Sequence, residues 1–203
     1  MDSLLNNIKD FIYIVPALLI SLTFHELAHG LVAYKLGDPT AKSMGRLTLN
    51  PIKHIDPTGL LMLFLFRFGW AKPVVYNPEY FENKKMGTLL VALAGPVANV
   101  IIATISMGLL IATNGIWSSF LGMLFQFNVV FAVFNMLPVP PLDGSKVLAS
   151  ILPENLSFFI WKYEKIGYMI LLGLAVSGMV SKIIFPIYNY LAVGIINLVQ
   201  IFL

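Results

Sequence analysis

His25, Glu26 and His29 are the residues whose types and spacing best support chemistry in this chain. They form a His-Glu-x-x-His motif inside a long apolar run. On a helix, residues four apart share one face, so the two imidazoles could bind one zinc ion. Glu26 could act as general base toward a metal-bound water. Because ionisable groups are costly in hydrocarbon, this pattern favours a functional site over two core histidines.

A catalytic zinc site uses three protein ligands and keeps a fourth position open. The chain has no cysteine, so the third ligand must be His54 or a carboxylate. Asp143 is the carboxylate candidate, because it follows a proline-rich stretch at the end of an apolar span. Two alternatives stay open from the residues alone. Asp143 could only N-cap a helix that begins at Gly144, and His54 could only order the loop near the site.

The composition indicates a membrane protein. Hydrophobic residues make up 58% of the 203 residues and charged residues 11%, whereas soluble domains carry about 25% charged residues. The formal charge of +3 is too small and too scattered to suggest nucleic-acid binding. We therefore expect residues 1–203 to form a single all-α polytopic domain embedded in the lipid bilayer.

Apolar runs and turn signals predict about five transmembrane helices. The predicted spans cover residues 8–35, 88–112, 116–136, 166–180 and 183–203. Residues 59–68 are apolar but too short to cross a core of about 30 Å, so a re-entrant segment is expected there. Residues 46–49 predict a short β-strand, which either pairs with an extended substrate segment or only caps the cytoplasmic mouth.

The distribution of charge predicts the orientation. Lysine and arginine are concentrated between the first two predicted spans, and the turn at 113–115 has none. Because cytoplasmic loops carry the excess of basic residues, the first loop should be cytoplasmic and the N-terminus outside. Five spans then place the C-terminus in the cytoplasm. We expect a multi-pass protein of a cell membrane, of the prokaryotic plasma-membrane type.

Four segments together resemble the intramembrane site-2 metalloprotease family. They are HELAHG (25–30), NPIKHIDP (50–57), AGPVAN (94–99) and NMLPVPPLDG (135–144), and they occur in the family's order. The first motif alone is moderately specific, whereas all four together are highly specific. The resemblance extends from about residue 21 to residue 146 and is to the compact form of the family, without PDZ or CBS modules.

The resemblance implies a zinc-dependent intramembrane endopeptidase. Zinc, one ion per chain, would be held by His25, His29 and Asp143, and Glu26 would activate the water. The implied partners are transmembrane protein substrates, cleaved within the membrane near its cytoplasmic face. The sequence indicates nothing about an oligomer.

Two asparagines and two rival functions complete the prediction. Asn99 and Asn135 could hydrogen-bond a substrate backbone or a developing oxyanion, or could only join helices. One rival is a catalytically silent zinc-binding membrane chaperone or adaptor, although every residue that hydrolysis needs is present. The other is a metal or proton transporter, for which repeated halves would be expected and are not found.

Overall fold

The structure is a computed structural model that describes residues 2–59 and 71–202, and most of these residues are helical. The main helices are α1 (Asp2–Lys35), α2 (Thr40–Ser43), α3 (Lys84–Ala112), α4 (Ser118–Asn135), α5 (Asp143–Ile151), α6 (Glu154–Lys162), α7 (Glu164–Val176) and α8 (Met179–Phe202). Two short 3₁₀ helices, Pro51–Lys53 and Pro78–Tyr80, lie in the segment between α2 and α3.

Four helices are long and apolar enough to cross a membrane. They cover residues 11–35, 84–112, 118–135 and 179–202. These correspond to the predicted first, second, third and fifth spans, and the predicted turn at 113–115 separates α3 from α4. The all-helical, multi-pass character of the chain is therefore confirmed for the described residues.

The predicted fourth span differs from the structure. Its place is taken by α7, which has 13 residues and therefore a length of about 20 Å, short of a core of about 30 Å. The prediction ran through residue 180 because the sequence there is apolar. In the structure Gly178 has φ +70°, a conformation that favours glycine, and α8 starts at the next residue.

The predicted strand at residues 46–49 is wrong, because residues 47–49 form consecutive bends and Arg46 has no regular structure. Thr48 N donates to Arg46 O (3.0 Å), and Thr48 O accepts from His54 Nε2 (2.9 Å). The buried Arg46 side chain donates to Lys72 O (2.5 Å). Local and side-chain hydrogen bonds therefore satisfy this backbone in place of a sheet partner. Residues 46–49 therefore present no strand edge to which a substrate segment could be added.

The predicted re-entrant segment, residues 59–68, lies outside the described residues from residue 60 onward. The chain on its two sides is held together. Ile55 and Ala71 form an isolated antiparallel β-bridge, and Lys72 N donates to His54 O (3.0 Å). Further along, Asn77 N donates to Asp38 Oδ2 (2.6 Å) just beyond the end of α1.

Helix α3 is central to the packing around the site. It packs against α1, α4, α5 and α8. The largest apolar cluster joins α3, α4 and α8 and includes Ala103, Phe125, Val129, Ile184 and Ile195. Because α3 lies between α1 and the start of α5, residues on its faces determine how closely those two elements approach.

We expect cysteines at Lys53 and Glu79 to be labelled from the same side of the membrane, because the backbone contacts above hold these regions together. The chain has no native cysteine, so single-cysteine variants can be labelled with membrane-impermeant maleimide without background. A cysteine at Ser118, beyond the α3 span, is the control and should be labelled from the opposite side. Labelling of positions 53 and 79 from opposite sides would contradict this topology.

Candidate metal centre

Two histidines and one aspartate meet inside the helical bundle. His25 and His29 lie one turn apart on α1, and Asp143 is the first residue of α5. Asp143 Oδ2 is 3.2 Å from His25 Nε2 and 3.1 Å from His29 Nε2, and the two Nε2 atoms are 3.1 Å apart. All three residues are buried. Among the described residues, this His–His–Asp cluster is the group whose geometry could hold a metal ion.

The turn after α4 brings Asp143 to α1. The residue that caps α5 is Leu142, which makes no side-chain capping bond, and the Asp143 carboxylate points instead toward the histidines. Its other oxygen, Oδ1, accepts from Lys146 Nζ (3.3 Å). Burial is the largest single influence and lowers the pKa of Lys146, but Asp143, Tyr76 and Glu26 together raise it, so the net pKa lies above its ordinary value. A positive charge therefore sits beside Oδ1.

Hydrogen bonds on the far side of each imidazole determine which nitrogen faces the cluster. His25 Nδ1 is 2.6 Å from Asn99 Oδ1, and His29 Nδ1 is 2.6 Å from the carbonyl oxygen of Val91. Both partners are acceptors, so each Nδ1 donates, and in a neutral ring the Nε2 atom keeps its lone pair. This pattern is characteristic of metal-binding histidines.

Three lone-pair atoms therefore face one another across about 3 Å. Asp143 Oδ2 has no hydrogen-bond donor among the described residues. This is expected if both imidazoles are neutral and protonated at Nδ1, because their Nε2 atoms then have no hydrogen to donate. Such atoms repel unless a cation or a proton lies between them. Two imidazole nitrogens and one carboxylate oxygen are ligands that zinc accepts, and the donor set therefore fits that metal.

Glu26 is buried next to His25 and is tied to the loop that precedes α3. Its Oε2 accepts from Val74 N (2.7 Å). Val74 belongs to an extended segment whose earlier residue Lys72 is bonded to His54. This hydrogen bond from a backbone N–H thus orients the Glu26 carboxylate beside the cluster.

The remaining predicted residues lie around the cluster rather than in it. His54 is fully buried, but its Nε2 donates to Thr48 O, which is the loop-ordering arrangement. Asn99 Nδ2 donates to Ser21 O (3.1 Å) and to Asn128 Oδ1 (2.7 Å), so its amide hydrogens are used between helices. Asn135 is half-buried near the end of α4, where its Nδ2 donates to Phe131 O (3.0 Å).

Sequence reasoning missed three contributors to the site, Val74, Asn128 and Lys146, and it included Gly95 as part of the AGPVAN segment. Asn128 carried a signal, since it is an amide in an apolar span. Val74 carried none, because it acts through its backbone N–H. The role of Gly95 depends on what faces it, and that is visible only once α1 and α3 are packed.

Comparisons with known proteins identify the family of the chain. Residues 13–116 and 110–178 match the profile described as peptidase family M50. The chain is 39% identical over 188 residues to "Putative zinc metalloprotease YwhC" of Bacillus subtilis, covering 87% of this chain and 86% of that protein. It is 30% identical over 192 residues to "Putative zinc metalloprotease Rip2" of Mycolicibacterium smegmatis, covering 87% and 71%. No solved structure gives a significant match.

The chain therefore belongs to peptidase family M50, the site-2 protease family. Its archaeal relative "Putative zinc metalloprotease MJ0611" of Methanocaldococcus jannaschii is 31% identical over 175 residues, covering 81% of this chain and 83% of that protein. Family membership and the four apolar helices together support a multi-pass membrane metalloprotease.

Gly95→Ala should disrupt the cluster, because a Cβ there would lie 2.4 Å from His29 Nε2 and 2.6 Å from His25 Cε1. Either the rings or α3 must move, and overpacking of this kind costs about 1–3 kcal/mol. Thermal unfolding in detergent should show lower stability, and metal affinity should fall.

Gly122→Ala is the matched control, because that glycine lies within α4 and a Cβ there meets nothing within 4 Å. The control should be neutral or slightly stabilising, since alanine favours helix. Equal stability and metal affinity in the two variants would contradict the assigned role of Gly95.

Proposed function

We propose that this chain is a zinc-dependent intramembrane endopeptidase that hydrolyses peptide bonds of transmembrane substrate helices near the cytoplasmic face. The observation that carries the proposal is the convergence of His25 Nε2, His29 Nε2 and Asp143 Oδ2 within about 3.2 Å, with a buried Glu26 beside them. Membership of peptidase family M50 supports the reaction class.

His25, His29 and Asp143 are the residues that would hold one zinc ion. When bound, zinc supplies Lewis-acid chemistry: it lowers the pKa of a coordinated water and polarises a carbonyl. The two histidines donate their Nδ1–H groups away from the cluster, His25 to Asn99 and His29 to Val91. Lys146 donates to Oδ1 of Asp143, the oxygen that does not face the histidines. All three inner atoms are thereby kept as acceptors.

Glu26 is the general base in this proposal. It takes the proton from the attacking water and returns it to the leaving amine. Its bond to Val74 N holds one oxygen still and so orients the carboxylate before substrate arrives. The substrate helix has to unwind locally, because the carbonyls of an intact helix are hydrogen-bonded and screened. Asn135 stays a candidate for contact with the unwound substrate.

The proposed orientation puts the segment between α1 and α3 in the cytoplasm and the N-terminus outside. His25 and His29 then lie about 9–15 Å from the cytoplasmic end of α1, at 1.5 Å per residue, and water reaches them from that side. The C-terminus is cytoplasmic in this proposal, which takes α7 together with residues on either side of it as one crossing in addition to the four long helices. Transmembrane proteins of the same membrane are the proposed substrates.

Glu26→Gln should retain zinc but reduce proteolysis by about 10²–10⁴-fold, because it removes proton transfer and leaves the ligands intact. His29→Ala and Asp143→Ala should lose both zinc and activity. Elemental analysis of the purified full-length protein and cleavage of a reporter substrate in proteoliposomes provide the two readouts. Wild-type protein should contain about one zinc per chain.

Glu79→Gln, which alters an exposed carboxylate, is the control and should match wild type. Proteolysis at the wild-type rate by Glu26→Gln would overturn the assignment of the base. Zinc binding by a wild-type protein that cleaves nothing would favour the silent chaperone or adaptor. Membrane stubs that accumulate in cells expressing Glu26→Gln, measured by quantitative proteomics, would identify the substrates.

A further inference from the structure

A buried chain of polar side chains connects α4 to the metal centre. Ser21 on α1, Asn99 on α3 and Asn128 on α4 each have no exposed surface. Asn128 lies in a span that is otherwise largely apolar. Its hydrogen bonds go to Ser21, Leu124 and Asn99, and not to a residue of the His–His–Asp cluster. A buried amide in such a place needs its hydrogen bonds, so the direction of each one can be followed.

The series of hydrogen bonds starts at the carbonyl of Ala17, which can only accept. The Ser21 hydroxyl donates to the backbone carbonyl of Ala17 (2.7 Å). Its oxygen is then the acceptor for Asn128 Nδ2, at 2.7 Å. The second Nδ2 hydrogen of Asn128 goes to the carbonyl of Leu124 (2.8 Å). Two acceptors on two helices thus determine which end of the Asn128 amide faces away from Asn99.

The remaining end of Asn128 determines the orientation of Asn99. Asn128 Oδ1 accepts from Asn99 Nδ2 (2.7 Å), and the other Nδ2 hydrogen of Asn99 goes to the carbonyl of Ser21 (3.1 Å). Asn99 Oδ1 is therefore the end that faces His25 Nδ1, at 2.6 Å. Against an acceptor, Nδ1 must carry the proton, and Nε2 keeps the lone pair that faces Asp143.

We propose that Asn128 is a positioning residue for the metal centre: it fixes the orientation of the Asn99 amide and, through it, the tautomer of His25. The inference rests on the proposed zinc site. With Asn128 Oδ1 removed, only the longer bond from Nδ2 to Ser21 O (3.1 Å) holds the Asn99 amide, and an amide that turns over presents Nδ2 to His25. His25 Nδ1 then accepts, Nε2 carries the proton, and the nitrogen that should bind metal is blocked.

His29 provides an internal comparison. Its Nδ1 donates to the backbone carbonyl of Val91, which cannot turn over as an amide side chain can. Loss of Asn128 should therefore change the tautomer of His25 and leave that of His29 unchanged. A general loosening of the bundle would affect both rings.

The test measures zinc affinity and histidine tautomers in the full-length protein in nanodiscs. Zinc affinity is measured by competition with a chelator for wild type, Asn128→Ala, Asn99→Ala and the double variant. Asn128→Ala should bind zinc about 10–100-fold more weakly, the effect typical of outer partners of metal ligands. Because Asn128 acts through Asn99, the double variant should be no weaker than Asn99→Ala alone.

Two variants control for packing and for the loss of a buried polar group. Val129→Ala shortens a fully buried neighbour on α4, and Ser106→Ala removes a buried hydroxyl of α3 that donates only within its own helix. Both should bind zinc as wild type does. Ser21→Ala, a smaller change, applies if Asn128→Ala does not fold, and it should also weaken zinc binding, by less than Asn99→Ala does.

The tautomer measurement does not depend on zinc. The chain has three histidines, so ¹⁵N shifts of metal-free, ¹⁵N-histidine protein can be assigned with single-histidine variants. Asn128→Ala should move His25 alone toward the form protonated at Nε2. Unchanged zinc affinity in Asn128→Ala, additive effects of the two asparagine variants, or an unchanged His25 tautomer would each overturn the inference. Wild-type protein without zinc affinity would instead overturn the proposed function.

Discussion

Three acceptor atoms meet in a buried place, and the rest of the site is arranged around the difficulty of keeping them there. His25 Nε2, His29 Nε2 and Asp143 Oδ2 lie within about 3.2 Å of one another and repel unless something positive lies between them. Because all three residues are buried, little water screens that repulsion. Hydrogen bonds from outside the cluster must therefore hold each of the three side chains with its lone pair directed inward, as metal binding would require.

Each residue of the His–His–Asp cluster is held by a different kind of partner. His29 is bonded to a backbone carbonyl, His25 to an amide side chain and Asp143 to an ammonium group one turn further along α5. A backbone carbonyl has a fixed direction, whereas an amide side chain has two possible orientations. The histidine bonded to an amide therefore needs a further set of contacts, and these extend through Asn99 to Asn128 and Ser21.

Close approach of helices makes this arrangement possible. α3 carries glycine at the point where it faces both imidazoles, and a methyl group there would overlap them. The loop before α3 then returns to α1, where Val74 N binds Glu26. The cluster is thus assembled by a spanning helix packed tightly on one side and a polar loop bonded on the other. Membrane interiors favour small residues at such contacts because no hydrophobic force draws helices together in lipid.

The candidate chemistry and the class of fold could be predicted from local features of the sequence. The His-Glu-x-x-His spacing placed two imidazoles on one face of a helix, because helical periodicity is local, and apolar runs long enough to cross a membrane were visible directly. Four of the five predicted spans correspond to helices of sufficient length. The combination of four ordered motifs identified the family, which the comparisons confirmed.

How distant residues meet could not be predicted, because it depends on the way the helices pack. The gap of more than a hundred residues between His29 and Asp143 gives no distance, and the direction of the Asp143 carboxylate depends on how the chain turns after α4. The strand prediction at residues 46–49 failed because the backbone there bonds locally and to the His54 side chain: Arg46 N donates to Ala41 O, Thr48 N to Arg46 O, and Thr48 O accepts from His54. The predicted fourth span extended beyond the end of α7 because the turn at Gly178 lies inside an apolar run and carries no polar signal. Asn128 and the Val74 N–H were missed because their roles come from partners that are distant in the sequence.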